Sequence, residues 1–160
     1  MPAAQDEFGA WVEPHLPALA RLAARLAPDG ERDDVIQAAL ERAWRKRATF
    51  DPARGTPLAW LLAIVADQAR RARRRSRPLA LVTTSAPARS IDDRLDLEAA
   101  VARLPERQRL AIDCFYFVGL SVAETAAVMG CAEGTVKSTL SDARARLAQI
   151  LDGGRDAGRR

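Results

Sequence analysis

Six of the eight residues from Arg70 to Arg77 are arginine, a density of guanidinium groups suited to gripping phosphate. Basic side chains in the last turn of a helix are favoured by the helix dipole, and a solvated helix end exploits the same effect. Six in eight exceeds what that role requires and points to phosphate contact. A second kind of chemistry lies farther on, in Ser121-Val-Ala-Glu124, Gly130 and Glu133-Gly-Thr-Val-Lys-Ser138. Ser121 with Glu124 three residues later makes a capping box, and Gly130 supplies a left-handed helix stop. A second helix opens at Glu133 or Thr135. Val136, Leu140, Ala143 and Leu147 recur at spacings of four, three and four, so one face of that helix is buried. Lys137, Ser138, Ser141 and Asp142 occupy its other face. Two helices joined by a short glycine turn are the unit that lays its second helix in a DNA major groove. An ordinary helical hairpin is the alternative that spacing alone leaves open.

The elements that must position these residues are helical. Leu16, Leu19, Leu22 and Leu26 share one side of an amphipathic stretch from Phe8 to Leu26, which Pro14 and Pro17 kink or split. After a turn at Pro28-Asp-Gly30, a second helix starts at Asp33 or Asp34 and runs to Arg47, with Val35, Ile36, Leu40 and Trp44 on its apolar side. Phe50–Thr56 is a loop. Thr56 caps the next helix with Pro57 at its first position, and Leu58, Leu61, Leu62 and Val65 point inward. Residues 78–90 have linker composition. A second helical unit begins near Ile91, continues through Leu95, Leu97, Val101 and Leu104, and enters another helix at Pro105 that Gly119 ends. The tail from Asp152 to Arg160, rich in glycine and charge, is expected to be disordered.

Composition narrows the class. The 160 residues are 48% hydrophobic but only 5% aromatic, which favours helices over a β-sandwich. The chain is net positive, +4; both flanking segments are basic and residues 78–100 are acidic. Cys114 and Cys131 form no CxxC or Cys/His cluster, so packing is expected rather than redox or metal chemistry. The N-terminus lacks the features of a secretory signal, and no stretch of about 20 apolar residues spans a membrane. A cytoplasmic location without membrane contact is expected.

Several of these segments together resemble a known family. Asp34-Val-Ile-Gln37, Arg42-Ala-Trp44, Phe50-Asp-Pro52 and Ala59-Trp-Leu61 resemble region 2 of bacterial RNA polymerase sigma factors. Leu104-Pro-Glu-Arg-Gln-Arg109, Gly119-Leu-Ser121, Gly130 and Gly134-Thr-Val-Lys-Ser138 resemble region 4. Two regions without an intervening domain match the extracytoplasmic-function (ECF) subgroup of the sigma-70 family. The resemblance implies an all-α fold of two small helical domains: region 2 over residues 1–77, a flexible linker over 78–94, region 4 over 95–151 and the tail over 152–160. It implies a promoter-specificity subunit with no cofactor and no catalysis, whose partners are core RNA polymerase, promoter DNA and an anti-sigma factor.

The resemblance also distributes roles. Asp34, Gln37 and Arg42 fall on the helix that docks on the polymerase. Arg54, Asp67, Arg70, Arg71, Arg73 and Arg74 fall where the minus-10 element is captured and its strand displaced, with Phe50 and Trp60 either core residues or stacking platforms. Gly134, Lys137, Ser138, Ser141, Asp142 and Arg144 face the minus-35 element. Asp67 stands where the family commonly has Asn, and an ionised carboxylate cannot donate a hydrogen bond. Thr139 and Asp142 stand at positions that are often Arg, so the reading face is less basic than the family pattern.

Two other classes fit less well. A polymerase-independent helix-turn-helix regulator needs a symmetric dimer surface, for which no surplus apolar helix is present. An enzyme needs a reactive cluster, yet the single His15 has no Cys, His or carboxylate grouping around it, and glycine-rich phosphate loops are absent.

Overall fold

Pro14 and Pro17 divide the first amphipathic stretch, because proline removes a donor and crowds the preceding turn. In the computed structural model, which describes residues 2–76 and 93–157, α1 (Pro2–Val12) passes through a 3-10 turn at Glu13–His15 into α2 (Leu16–Leu26). Leu19, Leu22, Ala23 and Leu26 are the buried face of α2. The chain turns at Gly30, whose φ of 79° lies in the left-handed region, and enters α3 (Arg32–Lys46). This start precedes the expected one: Glu31 is the N-cap, and Asp33 and Asp34 sit in the first turn. There their carboxylates favour the positive end of the helix dipole without capping it. Val35, Ala39 and Ala43 form the buried stripe of α3, with Ile36, Leu40 and Trp44 half-buried beside it.

Thr56 Oγ1 accepts a hydrogen bond from the Ala59 amide at 3.2 Å and opens α4 (Pro57–Arg75), with Pro57 at the first position. α4 is buried on more than one face, through Ala59, Leu61, Leu62, Val65, Ala66, Ala69 and Ala72. The reason is tertiary. α2 and α3 cover one side of α4, and a helix of the second unit covers another. Alanine at four of these positions lets those backbones approach closely.

The second unit comprises α5 (Asp93–Ala102), α6 (Glu106–Ile112), a π-helical turn at Asp113–Val118, α7 (Val122–Met129) and α8 (Glu133–Ala157). Its core is Val101, Leu104, Ala111, Ile112, Ala126, Val136, Leu140 and Ala143. Gly119, at φ 81°, ends the π turn. The fold is all-α, two helical units with no strand among the described residues. None of the described helices is long and apolar enough to cross a membrane.

The connector expected at residues 78–94 lies outside the described residues apart from Asp93 and Arg94, which already belong to α5. The expected disordered tail needs correction, since α8 continues through Asp152 as far as Ala157. Gly153 and Gly154 each cost a helix about 1 kcal/mol but remove no donor, so an established helix can run through them.

Candidate nucleic-acid interface

The helix pair of the second unit is built as its local sequence dictates. Ser121 Oγ accepts from the Glu124 amide at 3.1 Å, and the Glu124 carboxylate accepts from the Ser121 amide at 2.9 Å. Gly130 closes α7 at φ 64°. Val136, Leu140 and Ala143 bury the inner face of α8. Gly134, Lys137, Ser138, Ser141, Asp142 and Arg144 are all exposed. With 3.6 residues per turn, Gly134, Ser138 and Ser141 lie along the middle of the open face. Lys137 and Arg144, two turns apart, share one edge, and Asp142 lies toward the other.

Hydrogen bonds refine that face. Ser138 Oγ and Thr139 Oγ1 both donate to the Thr135 carbonyl, at 3.0 and 2.7 Å. Their hydroxyl protons are thereby engaged, which leaves Ser138 Oγ to act toward a ligand as an acceptor, while Thr139 is half-buried rather than presented. Arg144 Nη1 donates to Tyr116 Oη at 3.0 Å. Tyr116 is half-exposed and stands edge-on to Phe115, with ring centroids 5.0 Å apart. It was missed from sequence, where it reads as one more aromatic of a hairpin; only its position beside the open face of α8 marks it.

In the first unit, α3 holds Asp34 and Gln37 exposed and adjacent, one turn apart. Arg42 does not join them. It lies round the helix toward α4, 3.9 Å from Asp67, where it lines a shallow cleft with Glu41, Arg45, Lys46 and Gln68. Asp67 is a hub: Arg71 Nε donates to it at 3.0 Å, and Arg70 Nη1 lies 3.6 Å away. Spaced at three, four and seven residues, Asp67, Arg70, Arg71 and Arg74 share one face of α4. Arg73 turns the other way and donates to Glu106 of α6 at 2.8 Å. Burial pulls the Arg73 guanidinium below its ordinary value, with Glu106 opposing and Arg109 and Arg70 adding to the effect.

Arg54 is exposed in the 3-10 turn at Pro52–Arg54, which Asp51 caps by accepting from the Ala53 amide at 2.9 Å. Phe50 and Trp60, 5.6 Å apart, are half-buried members of an aromatic cluster with Trp11, Phe8 and Trp44. They are packing residues with an exposed edge. Trp11, at the centre of that cluster, was not singled out from the sequence, because α1 shows weak periodicity around it.

Cys114 is buried, and burial together with Asp113 pushes its thiol up to about 12. It is protonated at neutral pH and unsuited to nucleophilic or metal chemistry. No group of three or more His, Cys, Asp and Glu that could hold a metal occurs among the described residues.

Comparisons with known proteins agree with this geometry. Residues 11–78 match the family model for sigma-70 region 2, and residues 94–147 match that for sigma-70 region 4. The chain is 38% identical to the ECF RNA polymerase sigma factor SigM of Mycobacterium tuberculosis, over 83% of this chain and 69% of that protein. It is 32% identical to EcfG of Rhodopseudomonas palustris, over 89% and 85%. Among solved structures it superposes on CnrH, in complex with the cytosolic domain of CnrY, with a TM-score of 0.70 and 31% identity over 93% of this chain and 90% of that one. RpoE of Bartonella quintana, solved with the anti-sigma factor NepR, gives 0.66 and 29% over 91% and 97%. A helical region 2, a capped helix pair in region 4 and similarity spanning both lead to one assignment: the chain belongs to the sigma-70 family of RNA polymerase sigma factors, in its ECF subgroup.

Proposed function

We propose that this chain is a promoter-specificity subunit: it binds core RNA polymerase in the cytoplasm and directs initiation by recognising minus-10 and minus-35 elements, without catalysis of its own. The observation that carries the reading is the coexistence of two nucleic-acid faces on separate helical units. One is the arginine face of α4 and the other is the open face of α8. Joining two modest contacts in one chain raises overall affinity through effective concentration.

In this reading region 2 spans residues 1–77 and region 4 spans 95–151. Asp34 and Gln37 dock on the polymerase, and Arg42, round the helix from them, braces Asp67. Arg54, Arg70, Arg71, Arg73 and Arg74 hold phosphates of the displaced minus-10 strand. Asp67 orders the guanidinium groups around it rather than reading a base, since its oxygens face Arg71, Arg70 and Arg42. Gly134 allows α8 to approach the DNA backbone closely, Lys137 and Arg144 contact phosphate or guanine, and Ser138, Ser141 and Asp142 face base edges. An anti-sigma factor, as in the solved complex of the Bartonella quintana relative, is the expected inhibitor.

Run-off transcription by purified chain and core polymerase, on a template carrying the region upstream of the chain's own gene, tests the function. Specific start sites that require the chain are expected. Tight binding to a palindromic operator without polymerase association would instead identify a free-standing regulator.

A further inference from the structure

We infer that Tyr116, carried by the π turn rather than by the reading helix, positions the Arg144 guanidinium, and that the two side chains together clamp one phosphate at the edge of the duplex. The inference rests on the reading of α8 as a duplex-facing helix and does not need the polymerase.

The turn from Asp113 to Val118 presents one side chain. Helices widen to i→i+5 spacing rarely, and such single turns recur at functional sites. Asp113, Cys114 and Val118 are buried, Phe115 and Phe117 are half-buried, and Tyr116 alone of the six is exposed. At 51% it is the most exposed large hydrophobic side chain among the described residues. Core packing does not account for a ring so placed. The ring is nonetheless well supported. The Leu120 amide ties the end of the turn by donating to the Cys114 carbonyl at 3.0 Å, and Phe115 stands edge-on to Tyr116 with ring centroids 5.0 Å apart.

The Tyr116 hydroxyl meets a residue 28 positions away: Arg144 Nη1 donates to its Oη at 3.0 Å. The phenol oxygen is the acceptor in that bond, so its own proton is left to donate. Arg144 uses one of its five N–H donors there, and it forms no ion pair among the described residues. Arg70, Arg71 and Arg73 of α4, by contrast, each face a carboxylate. A guanidinium held by a neutral oxygen keeps its charge for a ligand. Donors from both residues, with positive charge behind them, suit an anion with several acceptor oxygens.

A phosphate and a protein carboxylate share that chemistry, and placement favours the phosphate. Arg144 shares its edge of α8 with Lys137, two turns away, while Asp142 lies toward the other edge. A strand that carries a charge at every step can meet both cations. What the hydroxyl supplies is order. An arginine loses side-chain freedom when it grips a phosphate, and the bond to Tyr116 restricts that freedom before DNA arrives. Phosphate contacts fix register without reading sequence. A pinned Arg144 therefore sets how Ser138 and Ser141 meet the base edges.

The test uses the full chain and a short duplex of mixed sequence at low salt. Tyr116→Phe keeps the ring and its contact with Phe115 and removes only the hydroxyl. It should weaken duplex binding roughly two- to tenfold, the range for one hydrogen bond, with the slope of log affinity against log salt in place because no charge is lost. Arg144→Ala should lower that slope by about 0.9. With Arg144→Ala present, Tyr116→Phe should add less than about twofold, since the hydroxyl has no guanidinium to hold. Nitrogen-15 relaxation at Arg144 Nε, measured without DNA, should show an ordered side chain in the parent and a mobile one in Tyr116→Phe. An equal loss with and without Arg144, or relaxation unmoved by Tyr116→Phe, would overturn the positioning role. Duplex binding unmoved by both substitutions would overturn the clamp, and a loss of core polymerase association in its place would assign the pair to a protein carboxylate. Coupled losses on the duplex in a chain that fails to support run-off transcription would sink the polymerase reading and leave the clamp standing.

Discussion

The arginine face of α4 and the open face of α8 are the two surfaces proposed for nucleic acid, yet their chemistry differs. On α4, Arg70, Arg71 and Arg74 crowd one face with Asp67 as their counter-charge. On α8, Lys137 and Arg144 share an edge with serine hydroxyls between them, and Asp142 offsets them opposite. The first face is built for charge, which binds any strand and weakens with salt. The second is built for hydrogen-bonding patterns, which carry sequence information at smaller electrostatic cost. On the proposed function, region 2 supplies grip and region 4 supplies discrimination.

The comparison breaks most severely if the scaffold of one face is removed. Leu62 is fully buried at the centre of α4, so Leu62→Ala should cost about 2–5 kcal/mol by loss of burial and creation of a cavity. Urea unfolding followed by circular dichroism measures it, and an unchanged midpoint would mean that α4 is not the central helix. The next effect sharpens the electrostatic half. Arg71→Ala with Arg74→Ala should weaken single-strand binding at low salt and lower the slope of log affinity against log salt by about 1.4, at roughly 0.7 per phosphate contact. An unaltered slope would show those arginines to be a solvated helix end.

A third substitution isolates the other half. Ser141→Ala should change minus-35 base preference by about 1–3 kcal/mol at one position while leaving the salt slope in place. Competition binding across single-base variants of the duplex reads both quantities together; a uniform loss across all sequences would assign Ser141 to phosphate.

The smallest effect concerns the contact between the regions. Burial raises Asp113 above the ordinary carboxylate range, against the opposing pull of Arg25 from α2 and Arg109 from α6, with Glu98 of α5 adding to the rise. In the unfolded chain that carboxylate meets water. The folded chain therefore takes up the proton more readily and gains stability as pH falls through the raised value. Above that value the gain is absent. One proton limits the change to less than about tenfold per pH unit. Urea unfolding across mildly acidic pH, set against Asp113→Asn, isolates it, and a contribution that falls on acidification would reverse the sign.

What was legible in the sequence is what depends on near neighbours. The capping box of Ser121 and Glu124, the Thr56–Pro57 helix start and the Gly130 stop each involve residues within about one turn. Local backbone geometry decides them in any context. The buried stripe of α8 followed from periodicity for the same reason. The start of α3 was displaced because three consecutive charged residues, Arg32 to Asp34, can all occupy a first turn. The end of α8 was missed because glycine penalises a helix without stopping it.

Roles that depend on distant neighbours were not legible. Arg73 reads as one more arginine on the face of its run, and the pairing with Glu106 that the pitch of α4 gives it was not foreseen. Asp67 reads as a lost hydrogen-bond donor, yet three arginines from two helices surround it. Tyr116 acquires a place beside the reading helix only when the π turn and α8 come together.

By itself, the sequence determined the helices, their caps, the two-unit plan and which polar residues share a helix face, because these rest on spacing along one chain. Only the tertiary structure decided that α4 is buried between the units and that Asp113, unremarkable in the sequence, finds its cation on α2. A buried charge is specified by what lies across from it, and no local pattern encodes a partner 88 residues away.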